Sequence, residues 1–296
     1  MVKYKLAVFK GDRVGDQSEA GKFVKEVNYY AGRPVATTIQ YSEVVFSYSQ
    51  GNLEVKRASD NRPIIELASS FYIRDYHGYQ HERYALARYL PTLKKRVFNS
   101  DLKANETLSK LEQMVTLGVH GLPLPDSIYA HLKNLHKIEN QLTYPVVVKS
   151  ILSSGGRLNY LVNSKAGLRT AVKKAGGKAL IQEFIDNDGD YRVVVTYGRP
   201  VIVYKKTRDP NSQSHLNNVA QGAKRTLTDD KDVIDLAVRT AKVLGREFCG
   251  VDIVRSKLNQ KLFILESNFN AGIAILGDGV DEQYYKNAAQ AIMKSG

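Results

Sequence analysis

The sequence predicts an α/β protein, and three observations support this fold class. The chain opens with a strand-like apolar run at residues 5–9, followed by glycines and a helical pattern over 19–31. Further apolar runs of strand length follow at 144–149, 160–162, 179–185, 191–196 and 201–205. Two helical patterns, at 228–244 and 281–294, flank a predicted hairpin near the end of the chain. Strands alternating with helices in this way are typical of α/β and α+β folds.

Composition limits the class of protein. The 296 residues include 43% hydrophobic and 25% charged residues, as in ordinary globular domains, and the net charge of +13 favours anionic partners. No apolar run reaches the roughly 20 residues needed to cross a bilayer, and the N-terminus lacks a secretory signal pattern, so we expect a cytoplasmic protein without a membrane partner. The single cysteine, Cys249, excludes an internal disulfide and is expected to be a packing residue.

The first hundred residues predict a small α/β domain, assigned to residues 1–97. Alternating patterns at 41–48 and 52–56 surround Gln50 and Gly51 and predict two strands, and a third strand is expected at 70–74. A helix is expected over 79–88.

Two further subdomains are expected, over 98–178 and 179–296. The former begins with a helix over 105–117 that the Gly121–Pro125 segment terminates, and Ser164 is expected to cap a helix ending near residue 175. In the latter, Thr228, Asp229 and Asp230 mark the start of a helix with one apolar face.

The hairpin near the end of the chain predicts a metal site. Apolar runs at 249–253 and 262–268 are separated by residues 256–261, and a loop centred on Asn259 places Asp252 opposite Glu266, with Val254 and Ile264 beside them. Like charges facing each other among aliphatic side chains are destabilising, and a bound cation would relieve this.

The donor types favour magnesium or manganese. Asp252, Glu266 and Asn268 offer two carboxylates and an amide oxygen, with no nearby His or Cys. Magnesium completes its shell with water and phosphate oxygens, so a nucleotide phosphate is implied. The alternative is that both carboxylates simply end strands at the surface while the asparagines form a turn.

A second candidate for phosphate binding is Lys149, which ends a strand before the small-residue loop 153–156. Backbone N–H groups of such a loop can approach phosphate oxygens. Taken singly, a lysine at the end of a strand is more often a solvated residue.

These motifs, in their order along the chain, resemble the ATP-grasp superfamily, and within it the RimK-type carboxylate–amine ligases. The resemblance runs from about residue 71 to 290 and is carried by a set of short motifs: Asn99, Lys110, 121–125, 146–149, 180–185, 190–192, Asn218 with Gly222, 250–253 and 266–268. It implies an ATP-grasp fold preceded by an N-terminal pre-ATP-grasp domain.

The resemblance also implies roles for individual residues. The lysines Lys110 and Lys149 would contact ATP phosphates, and the metal ligands would be Asp252, Glu266 and Asn268. The adenine and nucleoside would be held by Gln182, Glu183, Phe184, Ile185 and Asp190, while Arg192 and Asn218 would face the phosphates and the acceptor carboxylate. The implied activity is ATP- and Mg²⁺- or Mn²⁺-dependent amide bond formation through an acyl phosphate.

Departures from the family pattern leave the substrates open. The family has an arginine just ahead of the position of Asn218, but this chain has Leu216 or Asn217 there. Lys205, Lys206 or Arg208 could supply the missing positive charge. The expected substrates are an amino acid and a carboxylate, such as the C-terminus of an acidic peptide or protein. The alternatives are a small-molecule ligase of the glutathione-synthetase or lysine-biosynthesis type and an inactive nucleotide- or RNA-binding protein. No motif supports RNA or ribosome binding. The sequence leaves open whether the chain forms a homo-oligomer.

Overall fold

A computed structural model of the chain describes residues 4–11, 18–49, 52–74, 79–98, 109–151, 158–207, 224–269 and 280–294. The helices are α1 (Glu19–Tyr30), α2 (Gln80–Thr92), α3 (Lys110–Val119), α4 (Lys165–Lys174), α5 (Lys231–Val243) and α6 (Val280–Lys294). The strands are β1 (Tyr4–Lys10), β2 (Ala36–Gln40), β3 (Val44–Ser49), β4 (Asn52–Arg57), β5 (Arg62–Pro63), β6 (Ala68–Tyr72), β7 (Arg96–Phe98), β8 (Ser127–His131), β9 (Val146–Lys149), β10 (Asn159–Val162), β11 (Lys178–Glu183), β12 (Asp190–Thr196), β13 (Arg199–Thr207), β14 (Lys224–Leu227), β15 (Phe248–Arg255) and β16 (Leu262–Asn268).

The N-terminal sheet has the strand order β2-β1-β6-β7, with each neighbouring pair parallel. The expected βα opening is confirmed, because α1 begins after Ser18, whose side chain accepts a hydrogen bond from the Gly21 N–H. The predicted pair of strands is β3 and β4, but Tyr41–Glu43 forms a 3-10 turn rather than the start of a strand. The short strands β2, β5 and β7 were not predicted, nor were β8 and β14 later in the chain.

The second sheet has the order β10-β9-β11-β8 and is antiparallel throughout. Apolar residues of α4, among them Leu168 and Val172, pack against one face of it. Because β11 pairs with both β8 and β9, this sheet extends across the expected subdomain boundary at 178/179. The strand ends at Glu183, two residues earlier than expected.

The third sheet has the order β14-β13-β12-β15-β16 and carries most of the candidate site. One face packs on α5 through residues such as Val193, Val251 and Ile253. On the other face, Val194 and Ile202 join a core that includes α1, α6 and strands of the N-terminal sheet. Charged residues follow on this same face, beyond the edge of that core.

Three predictions concern the starts of helices. Helix α3 begins at Lys110 rather than near residue 105, because Ser109 and Glu112 form a capping box that fixes its first turn. Helix α5 begins as expected after the run 228–230, and Asp230 is its capping residue. Ser164 precedes α4 as expected, but its side chain makes no capping hydrogen bond. Within the described ranges, no helix is long and apolar enough to cross a membrane.

Candidate active site

The hairpin of β15 and β16 brings the predicted metal ligands together. Asp252 lies directly opposite Glu266, as the sequence predicts. The Asn268 Nδ2 donates to Glu266 Oε1 at 2.8 Å and reaches Asp252 Oδ2 at 3.4 Å. All three side chains therefore converge at one point on the sheet.

A β-bulge changes the register just beyond this point. Asp252 pairs with Glu266, but the next residue, Ile253, pairs with Ile264, so Leu265 is the extra residue. The prediction that Val254 lies beside Ile264 is wrong for this reason. The bulge has a local effect: Leu265 and Glu266, which regular alternation would send to opposite faces, both line one cleft.

Asp252 is paired with two cationic side chains in addition to being a predicted metal ligand. Arg192 donates to its two oxygens at 2.6 and 2.7 Å, and Lys206 lies 3.2 Å from Oδ1. Burial alone would raise the pKa of Asp252, but the charges of Arg192 and Lys206 overcome it and hold the pKa below its ordinary value. Burial likewise opposes the charge of Arg192, yet Asp252 raises the pKa of that guanidinium.

Arg192 occupies its position because Gly250 leaves room for it. Arg192 lies between Tyr204 and Asp252 in the sheet register. A Cβ at position 250 would come within 2.6 Å of the Arg192 Nη1 and 3.0 Å of its Cδ. A side chain there would displace the guanidinium, so the glycine is a steric requirement of the ion pair.

Lys206 is a site residue that the sequence analysis raised only as one of three possible cations. It is buried and joins two carboxylates, Asp190 at 2.5 Å and Asp252 at 3.2 Å. Burial would lower the pKa of Lys206, but the two carboxylates raise it. Its neighbour Lys205 points to the opposite face and pairs with the exposed Asp188 at 3.4 Å. Alternation along β13 separates the two lysines, and only the register reveals which one faces the site.

Helix α3 delivers Lys110 to the same place. The capping box fixes the start of the helix at Lys110, whose Nζ lies 3.7 Å from Glu266 Oε2. One turn along, Gln113 accepts a hydrogen bond at 2.8 Å from the Ser267 N–H. The helix is thus attached to β16 beside the predicted metal ligands.

Lys149 reaches the site from the second sheet. It is buried, contrary to the general expectation for a lysine at the end of a strand, and it donates to Gln182 Oε1 at 2.5 Å. Gln182 in turn donates to Ser127 Oγ at 3.0 Å. Burial, offset in part by Glu266, lowers the pKa of Lys149 to about 8. At neutral pH the site therefore holds a poorly solvated ammonium group with few counter-charges.

A narrow cleft runs between the second and third sheets beside α3. Lys110, Gln182 and Glu266 line its polar end. Its apolar walls are formed by Met114, Leu117, Leu124, Leu180, Ile264 and Leu265. The cleft places an apolar slot beside the Lys110 ammonium and the Glu266 carboxylate.

The segment predicted to hold the adenine lies at one side of this region. The Glu183 N–H donates to the Asp126 carbonyl at 2.8 Å, and the Phe184 N–H donates to the Pro145 carbonyl at 3.2 Å. These two donors are therefore engaged within the protein. Ile185 is buried, and its carbonyl accepts a hydrogen bond from the Asn187 side chain.

Several predicted residues lie outside the described ranges. They are Asn218, Gly222, Leu216, Asn217, Arg208, Asn99 and the loop 153–156. Asp190 is bound to Lys206 rather than facing the cleft on its own. The contacts and the shared cleft bring together Lys110, Lys149, Gln182, Asp190, Arg192, Asp252, Glu266 and Asn268, but not Glu183, Phe184 or Ile185.

The donor chemistry fits a hard divalent cation. Asp252, Glu266 and Asn268 supply oxygen donors, the type that Mg²⁺ and Mn²⁺ prefer. In the part of the chain that the structure describes, no group of three or more His, Cys, Asp or Glu side chains is placed to hold a metal. The set has only two carboxylates and one amide, so further oxygens would have to come from water or phosphate.

Comparison with known proteins gives a consistent result. A sequence model of the RimK-like ATP-grasp domain matches residues 107–294. The chain is 26% identical to a probable alpha-L-glutamate ligase of Aeromonas salmonicida over 222 residues, 71% of this chain and 70% of the relative. It is 27% identical to the human N-acetylaspartylglutamate synthase A over 194 residues, which cover 62% of this chain and about half (49%) of that protein.

Solved structures show the same fold over nearly the whole chain. A structure of the ATP-grasp ligase PsnB complexed with minimal precursor, Mg and ADP matches with a TM-score of 0.70 at 15% identity. The match covers 99% of this chain and 98% of that one. The expected fold, an ATP-grasp architecture with mixed helices and strands, is confirmed.

Proposed function

Because this chain belongs to the RimK-like ATP-grasp family, we propose that it is an ATP-dependent ligase that joins a carboxylate to an amine through an acyl phosphate. ATP-grasp ligases use ATP and Mg²⁺, and we assign both to this protein. The amine is an amino acid, and the carboxylate belongs to an amino acid, a peptide or a protein C-terminus.

One observation carries the proposal. Two lysines, Lys110 of α3 and Lys149 of β9, meet the oxygen donors of the β15–β16 hairpin where the apolar cleft ends. These donors are Asp252, Glu266 and Asn268. Cations and hard oxygen donors beside an apolar surface are the groups that a nucleoside triphosphate and its divalent ion contact.

Each residue has a physical role in this proposal. Lys110 and Lys149 bind phosphate oxygens, and Gln182 orients the Lys149 ammonium. Asp252, Glu266 and Asn268 would hold Mg²⁺, which when bound screens the phosphate charge and aligns the transferred group. Arg192 and Lys206 stabilise negative charge next to the metal ligands.

The proposed reaction has two steps. A substrate carboxylate oxygen attacks the γ-phosphorus of ATP, the bond to the bridging oxygen breaks, and ADP and an acyl phosphate form. The amine nitrogen then attacks the acyl carbon, inorganic phosphate leaves, and the amine loses a proton. The positively charged groups lower the barrier because charge builds up on phosphate oxygens in both steps.

The excess of cations supports an anionic substrate. Lys110, Lys149, Arg192 and Lys206 outnumber the neighbouring carboxylates Asp190, Asp252 and Glu266 among the described residues. This single surplus charge suits the ATP phosphates, and the curated relatives that are named glutamate ligases favour an acidic amino acid as a second substrate.

The experiment is a substrate panel. Purified protein is incubated with Mg²⁺ and ATP and with pairs of amino acids and carboxylates, including glutamate and acidic peptides, and ADP release and new amide products are measured by mass spectrometry. We expect ADP release that depends on both substrates and is absent in Glu266→Gln. If no pair stimulates ADP release and the protein instead binds RNA tightly, the ligase proposal fails in favour of a nucleic-acid-binding protein.

A further inference from the structure

Asp252 has no lone pair open to a metal ion in this structure. Its Oδ1 accepts from Arg192 Nε at 2.6 Å and from Lys206 Nζ at 3.2 Å. Its Oδ2 accepts from Arg192 Nη2 at 2.7 Å and from Asn268 Nδ2 at 3.4 Å. An ionised carboxylate offers about four lone-pair positions, so these four donors saturate it. The carboxylate is also 93% buried, as its side chain is 7% exposed.

The other two proposed ligands are in different states. Glu266 accepts one hydrogen bond on Oε1, its Oε2 is 3.7 Å from Lys110, and its side chain is 24% exposed. Asn268 turns its Nδ2, not its Oδ1, toward both carboxylates. Glu266 is thus accessible to a cation, whereas Asp252 is fully engaged by donors of the protein.

We propose that Arg192 and Lys206 form an electrostatic lock on Asp252, which withholds this carboxylate from divalent cations until an anionic phosphate ligand engages the two cations. The inference rests on the proposed function in one respect, the assignment of Asp252 as a metal ligand. It adds that metal and nucleotide bind interdependently, and it identifies the two residues that couple them.

The charges explain why the lock opens only to an anion. A divalent cation approaching Asp252 alone meets a guanidinium and an ammonium group within hydrogen-bond distance of the same oxygens, and their repulsion opposes binding. Phosphate oxygens compete with Asp252 for these two donors and supply the missing negative charge. By linkage, the metal then strengthens nucleotide binding by the same factor that the nucleotide strengthens metal binding.

Lys206 is suited to release Asp252 because it has a second partner. Its Nζ is closer to Asp190, at 2.5 Å, than to Asp252, at 3.2 Å. When Lys206 moves away from Asp252, Asp190 still neutralises the lysine. The lysine is therefore not left as an unpaired charge in the buried site. Arg192, bound through two parallel hydrogen bonds, makes the more rigid contact.

The test measures the affinity of the nucleotide-free protein for Mn²⁺. The electron paramagnetic resonance signal of free Mn²⁺ reports how much of the ion stays unbound. The variants are Lys206→Met, the matched Lys205→Met on the opposite face of the same strand, and Lys206→Met combined with Asp252→Asn. Removing a unit charge roughly 5 Å from a divalent ion is worth at least about tenfold in affinity, even with the dielectric constant of water. We therefore expect Lys206→Met to bind Mn²⁺ at least about tenfold more tightly than wild type, Lys205→Met to match wild type, and the double variant to lose the gain.

A second variant protects the test against misfolding. Arg192→Gln keeps amide hydrogen bonding but removes the charge, and it should show a gain of the same sign, with circular dichroism confirming the fold of each variant. An unchanged Mn²⁺ affinity in folded Lys206→Met and Arg192→Gln, or an equal gain in Lys205→Met, overturns the lock. Binding of Mn²⁺–ADP to the Asp252→Asn variant separates failure of the lock from failure of the proposed function. If this binding is lost, Asp252 is still a metal ligand and only the lock is wrong. If this binding is kept, the metal assignment itself is wrong.

Discussion

Replacing Lys149 by methionine should stabilise the nucleotide-free protein while it abolishes nucleotide binding. Burial holds the pKa of Lys149 at about 8, against an ordinary value of 10.5. At roughly 1.4 kcal/mol per pH unit, the folded protein carries a cost of about 3 kcal/mol for keeping this ammonium charged at neutral pH. Methionine has a similar shape and no charge, so it avoids that cost.

The loss of one hydrogen bond reduces the expected gain. Lys149 donates to Gln182 Oε1, and leaving a buried acceptor without a donor costs on the order of 1 kcal/mol. The net expectation is a free energy of unfolding about 2 kcal/mol higher than that of wild type at pH 7. An exposed lysine at the start of β11 provides the control: Lys178→Met should change stability by no more than about 0.5 kcal/mol.

Urea unfolding at several pH values measures this effect. The folded pKa of Lys149 is depressed, so the unfolded chain binds more protons between about pH 8 and 10.5, and wild-type stability rises across this window relative to Lys149→Met. The advantage of the variant should therefore shrink as the pH rises. Mg²⁺ and ATP should stabilise wild type but not the variant. A variant less stable than wild type at pH 7, with a difference that does not depend on pH, would refute the reasoning.

Three further substitutions test other parts of the site. Glu266→Gln should abolish ATP hydrolysis coupled to ligation and leave the urea midpoint unchanged, and wild-type turnover would remove Glu266 from the metal set. Gly250→Ala places a Cβ 2.6 Å from Arg192 Nη1 and should cost about 1–3 kcal/mol of stability together with activity, so a fully active and stable variant would contradict the steric role of the glycine. Ser109→Ala removes the capping box at Lys110 and should cost about 1 kcal/mol in urea unfolding and raise the KM for ATP, whereas an unchanged KM would show that the cap does not position this lysine.

The sequence predicted those elements whose signal is local. The hairpin was predictable because two apolar runs flank a short polar loop, and a centre at Asn259 placed Asp252 opposite Glu266. The start of α5 was predictable to within two residues from its run of capping residues. The short strands β2 and β7 carry too few residues for a period-2 pattern to stand out, and parallel neighbours distant in the chain hold them in place.

The interpretation of the site was incomplete because its electrostatics depend on pairing between distant strands. The repulsion between Asp252 and Glu266 indicated a bound cation, but the sequence did not indicate that the register of β12 and β13 also places Arg192 and Lys206 beside Asp252. The sequence likewise did not indicate the bulge at Leu265, which shifts the register between Asp252 and Ile253.

Transfer of oxygen from the substrate carboxylate to the released phosphate is the most direct test of ligation through an acyl phosphate. The carboxylate substrate identified by the panel is labelled with oxygen-18, turned over with ATP, Mg²⁺ and the amine, and the phosphate is analysed by mass spectrometry. The expected result is one labelled oxygen in each inorganic phosphate released, together with ADP. Unlabelled phosphate, or label found in AMP with release of pyrophosphate, would contradict it.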